Sequence, residues 1–286
     1  MDPVTRAVAL YKSSILIEIF LVPALLCLIL ALVFQRRAEL SWHAVQNTAA
    51  TLVVVFVNYG FALWFFRDIA AVLQTGYDLL RIPQLDAAIW NGWPIWLLAI
   101  LGLAAKDLVD YWNHRLMHTR LGWPTHAAHH SDTHVNAFTA FRIHAIEMVM
   151  MTAGHIMMLT WLQMPHVIPA ALILSGLHTM YVHMDLPWRH GPLKLLVASP
   201  SFHRWHHADV PAAYGKNLAN HVPLWDKLFG TYYDPGPCRD VPMGATSSGV
   251  EDKDPVAILT YPVREWARMW SARRSAKPAP PTHSHI

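Results

Sequence analysis

Five apolar runs constrain this chain more than any other feature, because each approaches the roughly 20 residues a helix needs to cross a bilayer. They cover about residues 13–34, 48–66, 90–108, 145–164 and 167–182. The interruptions are few: Glu18 and Pro23 in the first run, Asn58 in the second, Pro94 and Gly102 in the third. Charged residues make up 14% of the 286 residues, against about a quarter in soluble domains. The predicted fold is therefore all-α, a multi-pass transmembrane bundle of four to five membrane helices. No small-residue cleavage site follows the first run; Gln35, Arg36 and Arg37 do, so it reads as a retained helix rather than a signal peptide.

Basic residues orient the bundle. With Arg36 and Arg37 in a cytoplasmic link, the third run ends in the cytoplasm, and the fourth and fifth form a hairpin returning there. Lys106, Arg115, Arg120, Arg142, Arg204 and Lys216 then fall on the cytoplasmic side, and 67–86 on the far side. Arg6 and Lys12 are the discordant charges. The expected location is a bacterial inner membrane or an endoplasmic reticulum membrane. A net charge of +3 offers nothing to nucleic acid, and Cys27 and Cys238 are too few for a disulfide framework or a cysteine-based metal site.

The chemistry lies in the 19 histidines. His114 and His118 form one box, His126, His129 and His130 a second, and His203, His206 and His207 a third. Spacings of three and four residues place side chains on one helix face about a turn apart. Each box can thus aim two or three imidazoles at one point. A core has little use for this, whereas neutral imidazole is a common ligand of iron, copper and zinc. Eight histidines exceed one tetrahedral zinc site and suit two metals with positions open to O2. The boxes follow the ends of apolar runs, which predicts a His-rich helical cap holding a dimetal site at the cytoplasmic surface.

The run DLVDYWNHRLMH over residues 107–118 resembles the approach to the first box of the fatty acid hydroxylase superfamily, which includes sterol C4-methyl oxidases and sterol C5-desaturases. HAAHHSDTHVN (126–136), FRIHAIE (141–147), YVHMDLPW (181–188), SPSFHRWHH (199–207) and YGKNLANHVPLWDKLFGTYY (214–233) continue the resemblance in order. It implies a catalytic domain over 90–235, after membrane helices in 1–89 and before an amphipathic helix and tail in 236–286. It further implies two iron ions held by His114, His118, His126, His129, His130, His203, His206 and His207, with His183 as a ninth ligand. His144 matches a family histidine that is either a ligand or a support, whereas His178 lies five residues before His183, where some relatives place a ligand at a spacing of four and others have a different residue. Asp107, Asp110 and Glu147 are candidates to accept the second ring N–H of a ligating histidine; a salt bridge with Lys106, Arg115 or Arg142 is the competing role.

The activity implied by the resemblance is that of an O2-dependent non-haem di-iron hydroxylase, or a desaturase, acting on a C–H bond of a sterol, fatty acyl chain or polar lipid. No G-x-G-x-x-G motif and no fused redox domain is evident. The two electrons would come from a separate ferredoxin-, cytochrome b5- or reductase-type donor. A divalent-metal transporter is the main alternative; it would hold its ligands near the bilayer midplane.

The remaining features have plainer readings. His43, His134, His166 and His190 read as interfacial, and His155 as either a pocket residue or a bond to a neighbouring helix. Over 256–274, Leu259, Val263, Trp266, Ala267 and Trp270 share a helix face suited to a membrane surface or to the protein's own cap. The WDKLFGTYY segment carries no expected chemistry beyond packing, with Tyr214 and Asn217 as weak candidates to line the site. Methionines 148, 150, 151, 157 and 158 suit an adaptable apolar lining or an ordinary core.

Overall fold

The computed structural model describes Arg6, residues 41–164 and residues 167–275. Among them are eight α-helices: α1 (Trp42–Leu80), α2 (Ile95–Met117), α3 (Trp123–His130), α4 (Ala145–Trp161), α5 (Ile168–His183), α6 (Pro200–His206), α7 (Leu224–Phe229) and α8 (Pro255–Ser275). Local chemistry sets several ends. Ser41 Oγ accepts from Ala44 N to start α1, Ser199 Oγ accepts from Phe202 N to start α6 with Pro200 in its first turn, and His144 caps α4 through Ile146 N. Such caps satisfy amides that a first turn leaves free.

Helix α2 continues nine residues past the end of the apolar run, so the first histidine box lies within its last turns rather than after it. Among the described residues no helix is long and apolar enough to cross a membrane. Helices α4 and α5 have 17 and 16 residues, about 24–26 Å at 1.5 Å per residue, against a hydrocarbon core of roughly 30 Å. Lys106, Asp107, Asp110 and Arg115 charge the second half of α2. The run at 13–34 lies outside the described residues, as do His166, His283 and His285.

Helix α2 is the central element, with α4 and α5 packed on it. At Gly154 a Cβ would come within 2.7 Å of Val109 Cγ1, so α4 approaches α2 here as only glycine allows. Helix α8 lies on α1 and α3, where Ile258 joins Ala50, Val54 and Ala128. Its seat is the protein itself, and its buried side is Ala257, Ile258 and Tyr261. Val263 and Trp270 of the apolar face point outward, away from the side of α8 that packs on α1 and α3. Arg142 has 0% exposure and ties these parts together. Its guanidinium donates to Ala128 O, Ser131 Oγ and Asn47 Oδ1, fixing the end of α3 against α1.

Candidate metal centre

Nine histidine side chains converge in two groups. His114, His118, His126, His130 and His206 form one; His129, His183, His203 and His207 form the other. Within each, the ring nitrogens lie within 4.8 Å of one another. The division follows from helix geometry. Consecutive residues on a helix are about 100° apart, so His129 and His130 of α3 enter different groups. His206, the last residue of α6, and the adjacent His207 divide in the same way.

The Nε2 atoms face each other closely. His114 to His126 and His130 to His206 are both 2.9 Å, and His183 lies 3.1 Å from His203, 3.1 Å from His207 and 3.3 Å from His129. Two nitrogens bound to one metal at about 2.05 Å, with an angle near 90–107°, would stand roughly 2.9–3.3 Å apart. Hydrogen bonding alone does not account for the arrangement. His183 Nδ1 donates to Thr179 O at 2.6 Å, so its Nε2 is a bare lone pair when the ring is neutral. That lone pair can take one proton, yet three rings face it. Nδ1 of each of those three, His129, His203 and His207, is buried without a partner among the described residues. Hydrogen bonds cannot satisfy four Nε2 atoms that face one another in this way, and a cation between them removes the conflict at those atoms. The donor set fits a metal.

The second ring nitrogens show how the rings are held. His114 Nδ1 donates to Leu218 O at 2.6 Å, His206 Nδ1 to Lys216 O at 2.8 Å, and His126 Nδ1 bonds Glu147 Oε1 at 3.0 Å. These bonds put the proton on Nδ1 and leave Nε2 to coordinate. Burial also keeps the rings neutral. It pushes the pKa of His114 and of His183 down to about 4, and those of His118, His126, His129, His130, His203, His206 and His207 well below the usual value.

The other candidates stand apart from both groups. His178 bonds His221 Nδ1 and Ala198 O, using both of its nitrogens. His144 caps α4 and reaches Leu259 O. Asp107 accepts the amides of Asn220, His221 and Val222, so it anchors a turn rather than an imidazole. Asp110 pairs with Lys106 and with His155. Of the three carboxylates, Glu147 alone meets a histidine of the two groups. His43 and His134 stack on each other, with His43 on Asp252, and His190 meets Tyr181 Oη and Val197 O.

The segment read as packing without chemistry, 225–233, and the loop that precedes it have a larger part. Lys216 and Leu218 supply the carbonyls that hold His206 and His114. Asp226, with 0% exposure, accepts Leu218 N, Ala219 N and Thr231 Oγ1, and so fixes the turn that presents them. In the sequence Asp226 stands beside Lys227 in LWDKLF, which reads as a solvated pair, so its buried role left no signal there. Asn217 bonds Phe202 O and both polar atoms of the Tyr233 backbone. His221, buried between Ser175 and His178, had no sequence signal that set it apart.

A cavity of ≈ 200 Å³ adjoins both groups through His114, His126, His129 and His183. Val55, Met117, Phe141, Met148 and Met151 line it, and Lys106, Asp110 and His155 close part of its wall. A second cavity, ≈ 370 Å³, reaches the five-histidine group through His118, His130 and His206, with Tyr214 and Trp123 on its sides. The two share no residue.

Comparison with known proteins agrees with this geometry. Residues 99–231 match the family model for fatty acid hydroxylase. The chain is 31% identical over 218 residues to ornithine lipid hydroxylase OlsE of Rhizobium tropici, covering 74% of this chain and 63% of that protein. It is 33% identical over 197 residues to alkylglycerol monooxygenase of Danio rerio, covering 68% and 41%. Against the Homo sapiens alkylglycerol monooxygenase it is 30% identical over 173 residues, covering 59% and 37%. The chain thus spans between about two fifths and three fifths of the length of these relatives. No solved structure matches it.

Proposed function

Because the chain belongs to the fatty acid hydroxylase superfamily, we propose that it is a membrane-embedded di-iron oxygenase that hydroxylates, or desaturates, a lipid C–H bond. It takes O2 as co-substrate and two electrons from a separate donor. One observation carries this reading: nine neutral imidazoles, eight buried and His118 half-buried, converge in two groups beside an apolar cavity. His114, His118, His126, His130 and His206 would hold one iron, and His129, His183, His203 and His207 the other. When bound, the irons supply activation of O2 and oxidation of an unactivated carbon.

The chain's own residues prepare that chemistry. Leu218 O, Lys216 O, Thr179 O and Glu147 hold four of the rings in one tautomer. Burial of both groups keeps water from the reacting carbon. Met148, Met151, Phe141 and Val55 seat a lipid chain with its carbon facing both groups. The second cavity, at His118, offers the electron donor an approach that does not cross the lipid.

Membrane embedding is supported by exposed apolar side chains on the first two described helices: Leu52, Val53, Phe56 and Val57 of α1, and Ile95, Trp96 and Ile100 of α2. Patches of this extent mark surfaces that meet lipid or protein. The orientation inferred from Arg36 and Arg37 places the histidines on the cytoplasmic side. The names of the relatives, an ornithine lipid hydroxylase and an alkylglycerol monooxygenase, favour a polar lipid over a sterol.

The test is turnover. Membranes containing the chain, supplied with reductant and O2, should convert a host lipid to a product with one more oxygen atom or two fewer hydrogens. His129→Ala and His206→Ala should abolish conversion, while the protein stays in the membrane fraction. Conversion that persists in both variants, or that proceeds without O2, overturns the proposal.

A further inference from the structure

Helix α2 places Lys106, Asp110, His114 and His118 at intervals of four residues, so each step advances about 6 Å along one face. The last two belong to the five-histidine group. The first two, with His155 of α4, form a buried triad that the oxygen chemistry does not use. Lys106 Nζ donates to Asp110 Oδ2 at 2.6 Å, and His155 Nε2 bonds Asp110 Oδ1. Lys106 is 4% exposed, Asp110 0% and His155 6%, and all three line the ≈ 200 Å³ cavity. Burying an ion pair rarely gains stability over apolar packing, which makes a role in recognition the stronger explanation.

The triad has unused hydrogen-bonding capacity of both kinds. Lys106 Nζ carries three donors, and among the described residues Asp110 is its partner. A carboxylate only accepts, so the bond from His155 requires the proton on Nε2. A second positive charge beside Lys106 would have no counter-charge, which keeps the ring neutral and leaves Nδ1 a lone pair. That Nδ1 is buried without a partner among the described residues. The triad as a whole is uncharged and offers two free donors on Lys106 and one free acceptor on His155. A hydroxyl group meets both residues, giving its O–H to His155 and accepting from Lys106. A carboxylate would set its charge against Asp110 and meet His155 with no proton. An ether would leave Nδ1 unmet.

We propose that Lys106, Asp110 and His155 form a binding site for a free hydroxyl group on the lipid. The site lies one to two helical turns, about 6–12 Å, from His114 along α2, so the carbon presented to the histidines lies several bonds from it. The identity of the bound molecule as substrate rests on the oxygenase reading; the hydroxyl preference itself does not.

Binding without turnover separates the two. The full chain, purified in detergent, is titrated with radiolabelled 1-hexadecanol in the absence of O2 and reductant, then competed with hexadecyl methyl ether, palmitate and hexadecane. Hexadecanol should bind at least about tenfold more tightly than the ether or palmitate, the worth of one to two hydrogen bonds to a buried polar site. In His155→Phe, which leaves the Lys106–Asp110 pair intact, that preference should fall to within about twofold, with hexadecane binding unchanged. The double variant Lys106→Met/Asp110→Leu removes both charges together and should behave the same way. Equal binding of alcohol and ether by the wild type, a preference for palmitate, or a full alcohol preference in a folded variant overturns the proposal. A chain that prefers hexadecanol but binds no iron would sink the oxygenase reading and leave this site standing.

Discussion

The peptide unit joining Leu218 to Ala219 makes a sharp prediction about Asp226. Its carbonyl accepts from His114 Nδ1 at 2.6 Å, and its N–H donates to Asp226 Oδ2 at 2.9 Å. Because a peptide is planar, the carboxylate that holds one end aims the other. In Asp226→Asn the side-chain oxygen can keep Leu218 N and Thr231 Oγ1, now on Oδ1. The new amide N–H2 then faces the N–H of Ala219, and two donors meet with no acceptor. Losing a charged, buried hydrogen bond and leaving a donor unmet should cost about 2–3 kcal/mol of stability. Freeing the peptide that orients a ligating imidazole should lower iron affinity about 10- to 100-fold. Asp107→Asn is the matched control: it disturbs the anchored amides of residues 220–222, none of which holds a histidine of the two groups. Urea unfolding reports stability, and competition with a calibrated iron chelator reports affinity. The reasoning is refuted if both variants lose stability alike and Asp226→Asn keeps the iron affinity of Asp107→Asn.

Glu147 should behave as an orienting acceptor for His126: Glu147→Ala loses about 10- to 100-fold in iron affinity, and Glu147→Gln, which keeps an acceptor, recovers most of it. If Gln is as poor as Ala in the same chelator titration, that bond does not orient the ring. The iron-free protein should lose stability as pH falls. His114 and His183 are held near 4 in the fold, against about 6.5 in the unfolded chain. Below that unfolded value the unfolded state binds more protons, so stability present above it is lost. At pH 5.5 these two rings alone account for about 3 kcal/mol relative to pH 8, and the other seven act in the same direction. A urea midpoint that is equal at pH 7.5 and pH 5.5 would contradict this.

Much of the centre was legible because histidine spacing is a helical signal. Boxes with intervals of three and four named eight of the nine converging rings, and the family resemblance added His183. The split into five and four was not legible. It depends on adjacent residues, His129 beside His130 and His206 beside His207, pointing to different groups once α3 and α6 are set against α2. The supports were harder still, because three of the rings are held by backbone carbonyls, and a carbonyl leaves no mark in a sequence. Asp107 and Asp110 could be read from the sequence as supports of a ring or as partners of a nearby cation; Asp110 takes the second role with Lys106 and also meets His155, while Asp107 anchors amides. The helices themselves follow the apolar runs at α4 and α5. At α2 the run ends where charge begins, but the helix continues, since nothing in Lys106–Met117 breaks it.

Metal analysis of the purified chain bears most directly on the central claim that nine histidines hold two irons for lipid oxidation. Elemental analysis, together with an optical spectrum and O2 uptake with and without reductant, should give two irons per chain, no haem absorption, and uptake only when reductant is present. One metal per chain, zinc in place of iron in active protein, or lipid turnover by metal-free protein would contradict the account.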